Sequence, residues 1–289
     1  MPLAEVRGLG RLEGDVDTVT GVSIDSRLVQ PGELFVALGG GIAFLDDARA
    51  HGAAATLVPD DGFAAMAALG RAVRAKTDAR VVAITGSVGK TSTKDILSAL
   101  LRDRVRLVSA PAGFNNEIGL PLTLCSIEPD TEVVVTEMGM RGPGQIRALA
   151  ELARPHLGVI TAIAPVHIGL LGSVENIARA KAELLEFVEI AILPEHAPEL
   201  EPFIPAGLDV RRVGEPRVEI RDGRATVNGV EFSFDARHQT ANAAFALAVL
   251  DTLGIEPPDG VVEVEFSRWR SQETELPGGG LLINDAWNA

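Results

Sequence analysis

The chain of 289 residues carries 26 basic and 40 acidic side chains, a formal net charge of −14 at pH 7. This acidic balance disfavours non-specific binding to nucleic acids or to anionic membranes. The single cysteine excludes an internal disulfide framework and is typical of a reducing compartment. Because no signal sequence and no apolar run near about 20 residues is evident, we expect a cytoplasmic protein, long enough for two domains.

Residues 1–78 are predicted to form a small N-terminal α/β domain. Strand-like stretches at 19–24 and 33–38 are joined through a turn at Pro31-Gly32. A short helix at 46–51, a strand at 53–58 and an alanine-rich helix at 63–76 follow.

From residue 79 to residue 289 the pattern changes to that of a central α/β domain. Apolar strands are predicted at 81–85, 105–109, 132–138, 157–163 and 190–193, and helices at 91–101, 144–153, 174–187 and 238–253. Apolar strands without alternation indicate a mainly parallel sheet covered by helices on both faces. A small β-rich part at 217–234 has hairpin signals at Asp222-Gly223 and Asn228-Gly229, and a last strand is predicted at 281–283.

A glycine-containing loop joins the strand at 81–85 to the helix that follows it. Gly86 and Gly89 allow successive backbone N–H groups to face one anion, Lys90 offers a charge for phosphates, and the Thr91 hydroxyl can hold Mg²⁺. A turn that uses glycine only for its geometry is disfavoured by the Lys-Thr pair and by the flanking strand and helix. The predicted ATP- or GTP-binding loop consists of Gly86, Ser87, Val88, Gly89, Lys90, Thr91 and Ser92.

Other polar positions are ambiguous on their residues alone. Asn115 and Asn116 belong to a polar cluster typical of a turn and a helix cap. Glu137 ends a strand, where a carboxylate is either an edge charge or an oxygen ligand for Mg²⁺, and the neighbouring loop favours the ligand. His167, in a loop, is typical of a surface residue, and Lys181 is typical of the solvated face of a helix.

Taken together, these motifs resemble the Mur ligases of peptidoglycan synthesis, and among them the members that add D-alanyl-D-alanine. The resemblance covers nearly the whole chain, and its most specific block is that at 114–124. The matching blocks are GVSIDSR and PGELFVAL (21–27, 31–38), TGSVGKTSTK (85–94), FNNEIGLPLTL (114–124), EMGMRGPGQI (137–146), AKAE (180–183), RHQTANA (237–243) and NDAWNA (284–289).

The resemblance implies a catalytic site for ATP and two Mg²⁺ ions. Lys90 and Thr91 would hold the ATP phosphates and the first ion. Glu137 and His167 would contribute to the second ion, together with Lys181, which the family carbamylates into a carboxylate-like ligand.

Further nucleotide and substrate contacts are implied by the same resemblance. Asn116 would lie near the phosphates, Asn242 near adenine, Arg268 near the γ-phosphate and Asp285 near ribose. For the substrate, Ser26 and Arg27 lie in the block that receives the uridine diphosphate end in the family, and Asn115 is the third expected substrate-binding residue.

The activity that the resemblance implies is an ATP-dependent ligation. The terminal carboxylate of UDP-N-acetylmuramoyl-tripeptide would take the γ-phosphoryl group, and the amine of D-Ala-D-Ala would attack the resulting acyl phosphate. In the family a third, Rossmann-like domain follows, so this chain is expected to correspond to the first two domains, to ligate weakly or not at all alone, and to be a monomer.

The sequence departs from the family pattern at several positions. Gln239 stands where the family usually has asparagine, Trp287 replaces a tyrosine, and the segment 39–45 lacks the usual Asp-Gly-His element. Two alternatives stay open: a sister ligase of the folylpolyglutamate synthase or MurT type, and a nucleotide-binding regulator without ligation chemistry. A sister ligase should lack the block at 114–124, and a regulator would need neither Lys181 nor His167.

Overall fold

The computed structural model describes residues 1–166, 168–267, 272–277 and 279–284. It divides the chain into two compact units, of which the first comprises Met1–Asp78 and Gly113–Thr131 and the second Ala79–Ala112 and Glu132–Ala289. His167, Arg268 and Asp285, for which the sequence predicts ligand contacts, lie outside the described residues, as does Trp287.

The helices and strands have the following bounds. In chain order the strands are β1 (Gly10–Glu13), β2 (Val22–Ser23), β3 (Leu34–Val36), β4 (Ala55–Pro59), β5 (Arg80–Thr85), β6 (Leu107–Ser109), β7 (Val133–Glu137), β8 (Leu157–Ile160), β9 (Ile190–Pro194), β10 (Asp209–Val213), β11 (Val218–Arg221), β12 (Arg224–Val227), β13 (Val230–Phe232), β14 (Val261–Val262), β15 (Gln272–Leu276) and β16 (Gly280–Asn284). The α-helices are α1 (Leu45–Ala50), α2 (Gly62–Arg74), α3 (Lys90–Leu101), α4 (Gly119–Cys125), α5 (Gln145–Ala153), α6 (Ile168–Leu171), α7 (Val174–Ala182) and α8 (Arg237–Leu253). Short 3-10 helices lie at Leu3–Glu5, Gly39–Phe44, Glu183–Phe187 and Glu201–Phe203.

The first unit is a four-stranded sheet in the order β1-β4-β3-β2, with β1 antiparallel and the other pairs parallel. Strand β2 is shorter than the predicted strand at 19–24, because the chain turns after Ser23, whose hydroxyl donates to the carbonyl of Asp25 at 3.0 Å. No helix among the described residues is long and apolar enough to span a membrane.

The segment Gly113–Thr131 belongs to the first unit, whereas the sequence-based boundaries placed it in a central domain at 79–289. Its helix α4 is buried along its whole length and contributes Leu122 and Cys125 to the same core as Met66 and Leu69 of α2. The chain therefore contributes β5, α3 and β6 to the second unit before it returns to the first unit.

The second unit is built on a six-stranded sheet in the order β10-β9-β8-β5-β7-β6, and all of its strand pairs are parallel. This confirms the predicted parallel sheet, to which the structure adds β10. Helices α3 and α8 pack on each other and share one apolar core with the sheet. Strand β5 lies between β7 and β8, so the loop that follows it opens in the middle of the carboxyl edge of the sheet.

The small β-rich part is the sheet β11-β12-β13-β14. Both predicted hairpin turns are confirmed: Asp222 and Gly223 have φ of 51° and 75°, and Asn228 and Gly229 have φ of 50° and 92°. Positive φ at both central residues is typical of the type I′ turn, which suits Asn-Gly and Asp-Gly.

Candidate nucleotide and metal site

The loop between β5 and α3 needs glycine at both predicted positions. Gly86 has φ of 148° and Gly89 has φ of 83°. A β-carbon on Gly86 would collide with Oγ1 of Thr161, and one on Gly89 would collide with Oδ1 of Asn242. Since neighbouring side chains approach the backbone this closely, any other residue would have to displace them.

The loop is also braced by the segment that follows β8. The Ser87 amide donates to the carbonyl of Ala162 at 2.8 Å, and the Ser87 hydroxyl donates to the carbonyl of Ala164 at 3.1 Å. The hydroxyl of Thr161 donates to the carbonyl of Val88 at 2.5 Å. Thr161 was not singled out from the sequence, because a lone threonine after a strand carries no motif.

Thr91 and Glu137 meet in the structure. Thr91 lies in the first turn of α3 and its hydroxyl donates to Oε2 of Glu137 at 2.8 Å, with both residues buried. The register of the sheet explains the contact, because Ile84 of β5 pairs with Glu137 of β7, so that both strands end together. Lys90 curls over the loop and donates from Nζ to the carbonyl of Gly86 at 2.9 Å.

Lys181 is buried in α7, with 3% of its surface exposed, so the interpretation as a solvated-face lysine is wrong. Burial, and next the positive charge of Lys90, lower the pKa of Lys181 to about 7 from 10.5. Both causes disfavour the ammonium form, so a larger fraction of the Lys181 amine is neutral than for an ordinary lysine.

The donor set on this edge of the sheet suits Mg²⁺. The ion prefers hard oxygen ligands, keeps several waters and is usually held by one or two carboxylates together with phosphates. The Thr91 hydroxyl and the Glu137 carboxylate are two such donors in direct contact. The described residues include no cluster of three or more His, Cys, Asp or Glu side chains suited to a metal.

Asn242 lies on α8 against Gly89 and is oriented by two neighbours. Its Nδ2 donates to Oε1 of Gln239 at 2.9 Å, and its Oδ1 accepts from the hydroxyl of Thr93 at 3.5 Å. Gln239, a departure from the family pattern, is thus a buried partner of Asn242.

A second buried polar group on α3 was not singled out from the sequence. Nζ of Lys94 lies 2.5 Å from Oδ1 of Asp95, and both side chains are buried. The Asp95 carboxylate also accepts from the amide of Ser267 at 2.8 Å and from its hydroxyl at 3.1 Å. This attaches the chain beyond β14 to the helix that begins at the glycine loop.

The expected substrate residues Ser26, Arg27 and Asn115 all belong to the first unit. Ser26 is buried, and the mostly exposed guanidinium of Arg27 contacts the Asp25 carboxylate at 2.6 and 2.9 Å. These hydrogen bonds lower the pKa of Asp25 to about 2. The predicted cap is present nearby: Oδ1 of Asn116 accepts from the amides of Ile118 at 3.0 Å and Gly119 at 2.9 Å.

A family model described as the Mur ligase middle domain matches residues 84–250, more than half of the chain. Together with the parallel sheet and its glycine loop, this match shows that the chain belongs to the Mur ligase family. The chain is 32% identical to the UDP-N-acetylmuramoyl-tripeptide--D-alanyl-D-alanine ligase of Bacillus subtilis and 33% identical to that of Mycobacterium leprae. Both alignments cover 94% of this chain. The chain spans 67% of either relative, about two thirds.

Solved structures show the same fold. A crystal structure of MurF from Acinetobacter baumannii superposes with a TM-score of 0.81 at 24% identity, covering 100% of this chain and 73% of that one. The MurF ligase from Thermotoga maritima in complex with ADP superposes with a TM-score of 0.77 at 26% identity, covering 94% of this chain and 72% of that one. A mutant of FPGS from L. casei reaches a TM-score of 0.60 at 13% identity, covering 76% of this chain and 70% of that one.

Proposed function

We propose that this chain forms the nucleotide- and substrate-binding part of an ATP-dependent ligase that adds D-Ala-D-Ala to UDP-N-acetylmuramoyl-tripeptide. The observation that carries the proposal is the 2.8 Å hydrogen bond from the Thr91 hydroxyl to the Glu137 carboxylate. It lies beside a loop in which a side chain larger than that of glycine would collide with its neighbours at positions 86 and 89. The curated relatives with this activity in their names support the choice of substrates.

The proposed roles follow the geometry of the loop. Backbone amides of the loop and the ammonium of Lys90 bind the ATP phosphates. Thr91 would hold a first Mg²⁺, and Glu137 would hold a second together with His167 and Lys181. When bound, the ions offset the negative charge that accumulates where a carboxylate meets a triphosphate.

Lys181 is suited to carbamylation because only a neutral amine attacks CO₂. Its pKa of about 7 leaves a large neutral fraction at physiological pH. The nitrogen of the neutral amine forms a bond to the carbon of CO₂ and loses one proton, which turns the amine into an anionic oxygen ligand.

The reaction needs an activated carboxylate because a carboxylate anion is a poor electrophile. Its oxygen attacks the γ-phosphorus, ADP leaves, and the acyl phosphate forms. The amine of D-Ala-D-Ala then attacks the acyl carbon, loses a proton and displaces phosphate. Lys90 stabilises the charge on the transferred phosphoryl group.

Binding of the uridine diphosphate end is assigned to Ser26 and Arg27, with Asn115 as a further contact. The exposed guanidinium of Arg27 supports this role, since the Asp25 carboxylate fixes its orientation while the side chain stays 81% exposed. Asn116, Asn242, Arg268 and Asp285 are proposed contacts of ATP, at the phosphates, adenine, γ-phosphate and ribose respectively.

The test is product formation by the full-length protein from ATP, Mg²⁺, UDP-N-acetylmuramoyl-tripeptide and D-Ala-D-Ala, followed by mass spectrometry. We expect UDP-N-acetylmuramoyl-pentapeptide, one ADP per product, and a rate at least about a hundredfold lower in Lys90→Met. ATP binding without any product would instead support a nucleotide-binding regulator. Product from glutamate but not from D-Ala-D-Ala would support a sister ligase.

A further inference from the structure

Glu183 follows Lys181 by two residues and binds the beginning of another helix. Its Oε1 accepts a hydrogen bond from the amide of Gly144 at 2.7 Å, and its Oε2 accepts one from the amide of Arg147 at 3.0 Å. The two donors lie 39 and 36 residues earlier in the chain, so the contact is tertiary.

Helix α5 lacks a cap of its own. Its N-cap residue is Gly144, which has no side chain to accept a hydrogen bond, and no acidic residue lies in its first turn. The first amides of a helix have no partners within the helix, and its N-terminus favours a negative charge. Glu183 supplies both the acceptor oxygens and the charge from a distant part of the chain.

The beginning of α5 is also fixed relative to Glu137. Directly after Glu137, the amide of Met138 donates to the carbonyl of Ile84 at 2.8 Å, which ties this residue to β5. Closer to the helix, Oε1 of Gln145 accepts from the amide of Arg141 at 2.6 Å. The connection from β7 to α5 is therefore held at both ends.

A second contact joins the same two elements. The guanidinium of Arg147 makes two hydrogen bonds of 2.5 Å to the carboxylate of Glu186 and lies 5.9 Å from the ring centroid of Phe187. Both charged side chains are more than 40% exposed, so solvent weakens this pair. Glu186 is thus a natural control for Glu183, because it lies in the same 3-10 helix and binds the same helix α5.

We propose that Glu183 is a positioning residue of the metal site, which sets Lys181 relative to Glu137 by capping α5. The inference rests on the proposed function, which assigns the second metal ion to those two side chains together with His167. It gives one physical reason for two blocks of the sequence, 137–146 and 180–183, that have no evident connection along the chain. Glu183 acts through the backbone of α5 and does not itself touch substrate.

A purely structural cap is the competing explanation. The helix of Lys181 is also anchored by apolar packing, since Ala178, Ala182 and Leu185 lie in one buried cluster with β9. If that packing alone fixes Lys181, loss of the cap would lower stability without changing metal affinity. Metal affinity therefore separates the two explanations.

The experiment measures equilibrium Mn²⁺ binding by electron paramagnetic resonance, with ADP present, on the full-length protein. The variants are Glu183→Gln, the matched control Glu186→Gln, and Lys181→Ala. Glutamine keeps the length of the side chain but offers one acceptor oxygen in place of two. We expect the Kd for Mn²⁺ to rise about tenfold in Glu183→Gln, as for other side chains that orient metal ligands, and less than about twofold in Glu186→Gln.

An equal rise in the Kd for Mn²⁺ in the two glutamine variants, or no rise in Glu183→Gln, would overturn the positioning role of Glu183. The proposed function is tested separately by Lys181→Ala. Unchanged Mn²⁺ binding in Lys181→Ala, or none in the wild type, would overturn the metal assignment and the inference with it. Should Glu183→Gln fail to fold, Glu183→Asp replaces it. Aspartate keeps the charge but is too short to reach both amides, so it should weaken Mn²⁺ binding in the same direction.

Discussion

Lys181 shows how far the environment of one residue can change its chemistry. An exposed lysine is almost entirely protonated at pH 7, whereas burial and the charge of Lys90 lower the pKa of Lys181 to about 7. The same side chain thus becomes able to act as a nucleophile toward CO₂. It also becomes a group whose titration should be visible in the stability of the protein.

We expect the free energy of unfolding of the metal-free protein to rise with pH between about 7 and 10.5, relative to Lys181→Met. In this window the unfolded chain keeps the proton on Lys181 and the folded chain does not, so higher pH favours the folded state. The difference in slope is at most about 1.4 kcal/mol per pH unit. Urea denaturation in CO₂-free buffer at several pH values measures it, and parallel curves for the two proteins would contradict the lowered pKa.

The glycine loop could be predicted from the sequence and the burial of Lys181 could not. The loop is a local feature, since strand, glycines, Lys90 and Thr91 follow one another directly. The environment of Lys181 depends on Lys90, which is brought close only by the fold. The helical spacing of Lys181, with Ile177 on one side of the helix, predicted a solvent-exposed lysine instead.

Helix α3 combines a glycine loop at its beginning with a buried ion pair one turn later. Adjacent residues on a helix do not normally face each other, yet Nζ of Lys94 lies 2.5 Å from Oδ1 of Asp95. The carboxylate also accepts two hydrogen bonds from Ser267, 172 residues away. A contact of this range leaves no pattern in one sequence, so it could not be predicted.

Replacing Asp95 with asparagine is expected to reduce the free energy of unfolding by about 3–5 kcal/mol, because the buried ammonium of Lys94 loses its counter-charge. Adding Lys94→Met should recover much of the loss, since no buried charge then remains. Urea denaturation of the single and double variants provides the measurement.

The control for this prediction is Glu175→Gln, which breaks an ion pair with Arg179 whose side chains are 68% and 59% exposed. Exposed pairs of this kind contribute about 0–1 kcal/mol. A double variant no more stable than Asp95→Asn alone would show that the unpaired charge is not the source of the loss.

At the scale of the whole molecule, the main surprise is the discontinuous first unit. The boundary at residue 79 can be predicted from the sequence, because alternating strands and helices begin there. The return of Gly113–Thr131 to the first unit cannot be predicted, because an apolar helix such as α4 could cover either unit equally well. Only the shared core with α2 decides where it belongs.

We expect residues 1–78 joined by a flexible linker to residues 113–131 to unfold cooperatively, and residues 1–78 alone not to do so. The shorter fragment lacks Leu122 and Cys125, which complete the core around Met66 and Leu69. Thermal circular dichroism compares the two. In the joined fragment Cys125 should resist alkylation at pH 8, since burial raises the pKa of its thiol to about 12. Rapid alkylation, or a cooperative transition of residues 1–78 alone, would contradict the assignment of α4 to this unit.

The discontinuous unit also imposes an order on biosynthesis. The ribosome must add about 50 residues after Asp78 before α4 is complete, which takes roughly 3–10 s at about 5–20 residues per second. In that interval the nascent chain exposes the apolar side chains of Met66 and Leu69, which the returning helix later covers. The strand and helix that enclose the glycine loop leave the ribosome during the same interval. The first unit can therefore finish folding only after residue 131 has been added, and until then its exposed apolar surface is where a chaperone would bind the newborn chain.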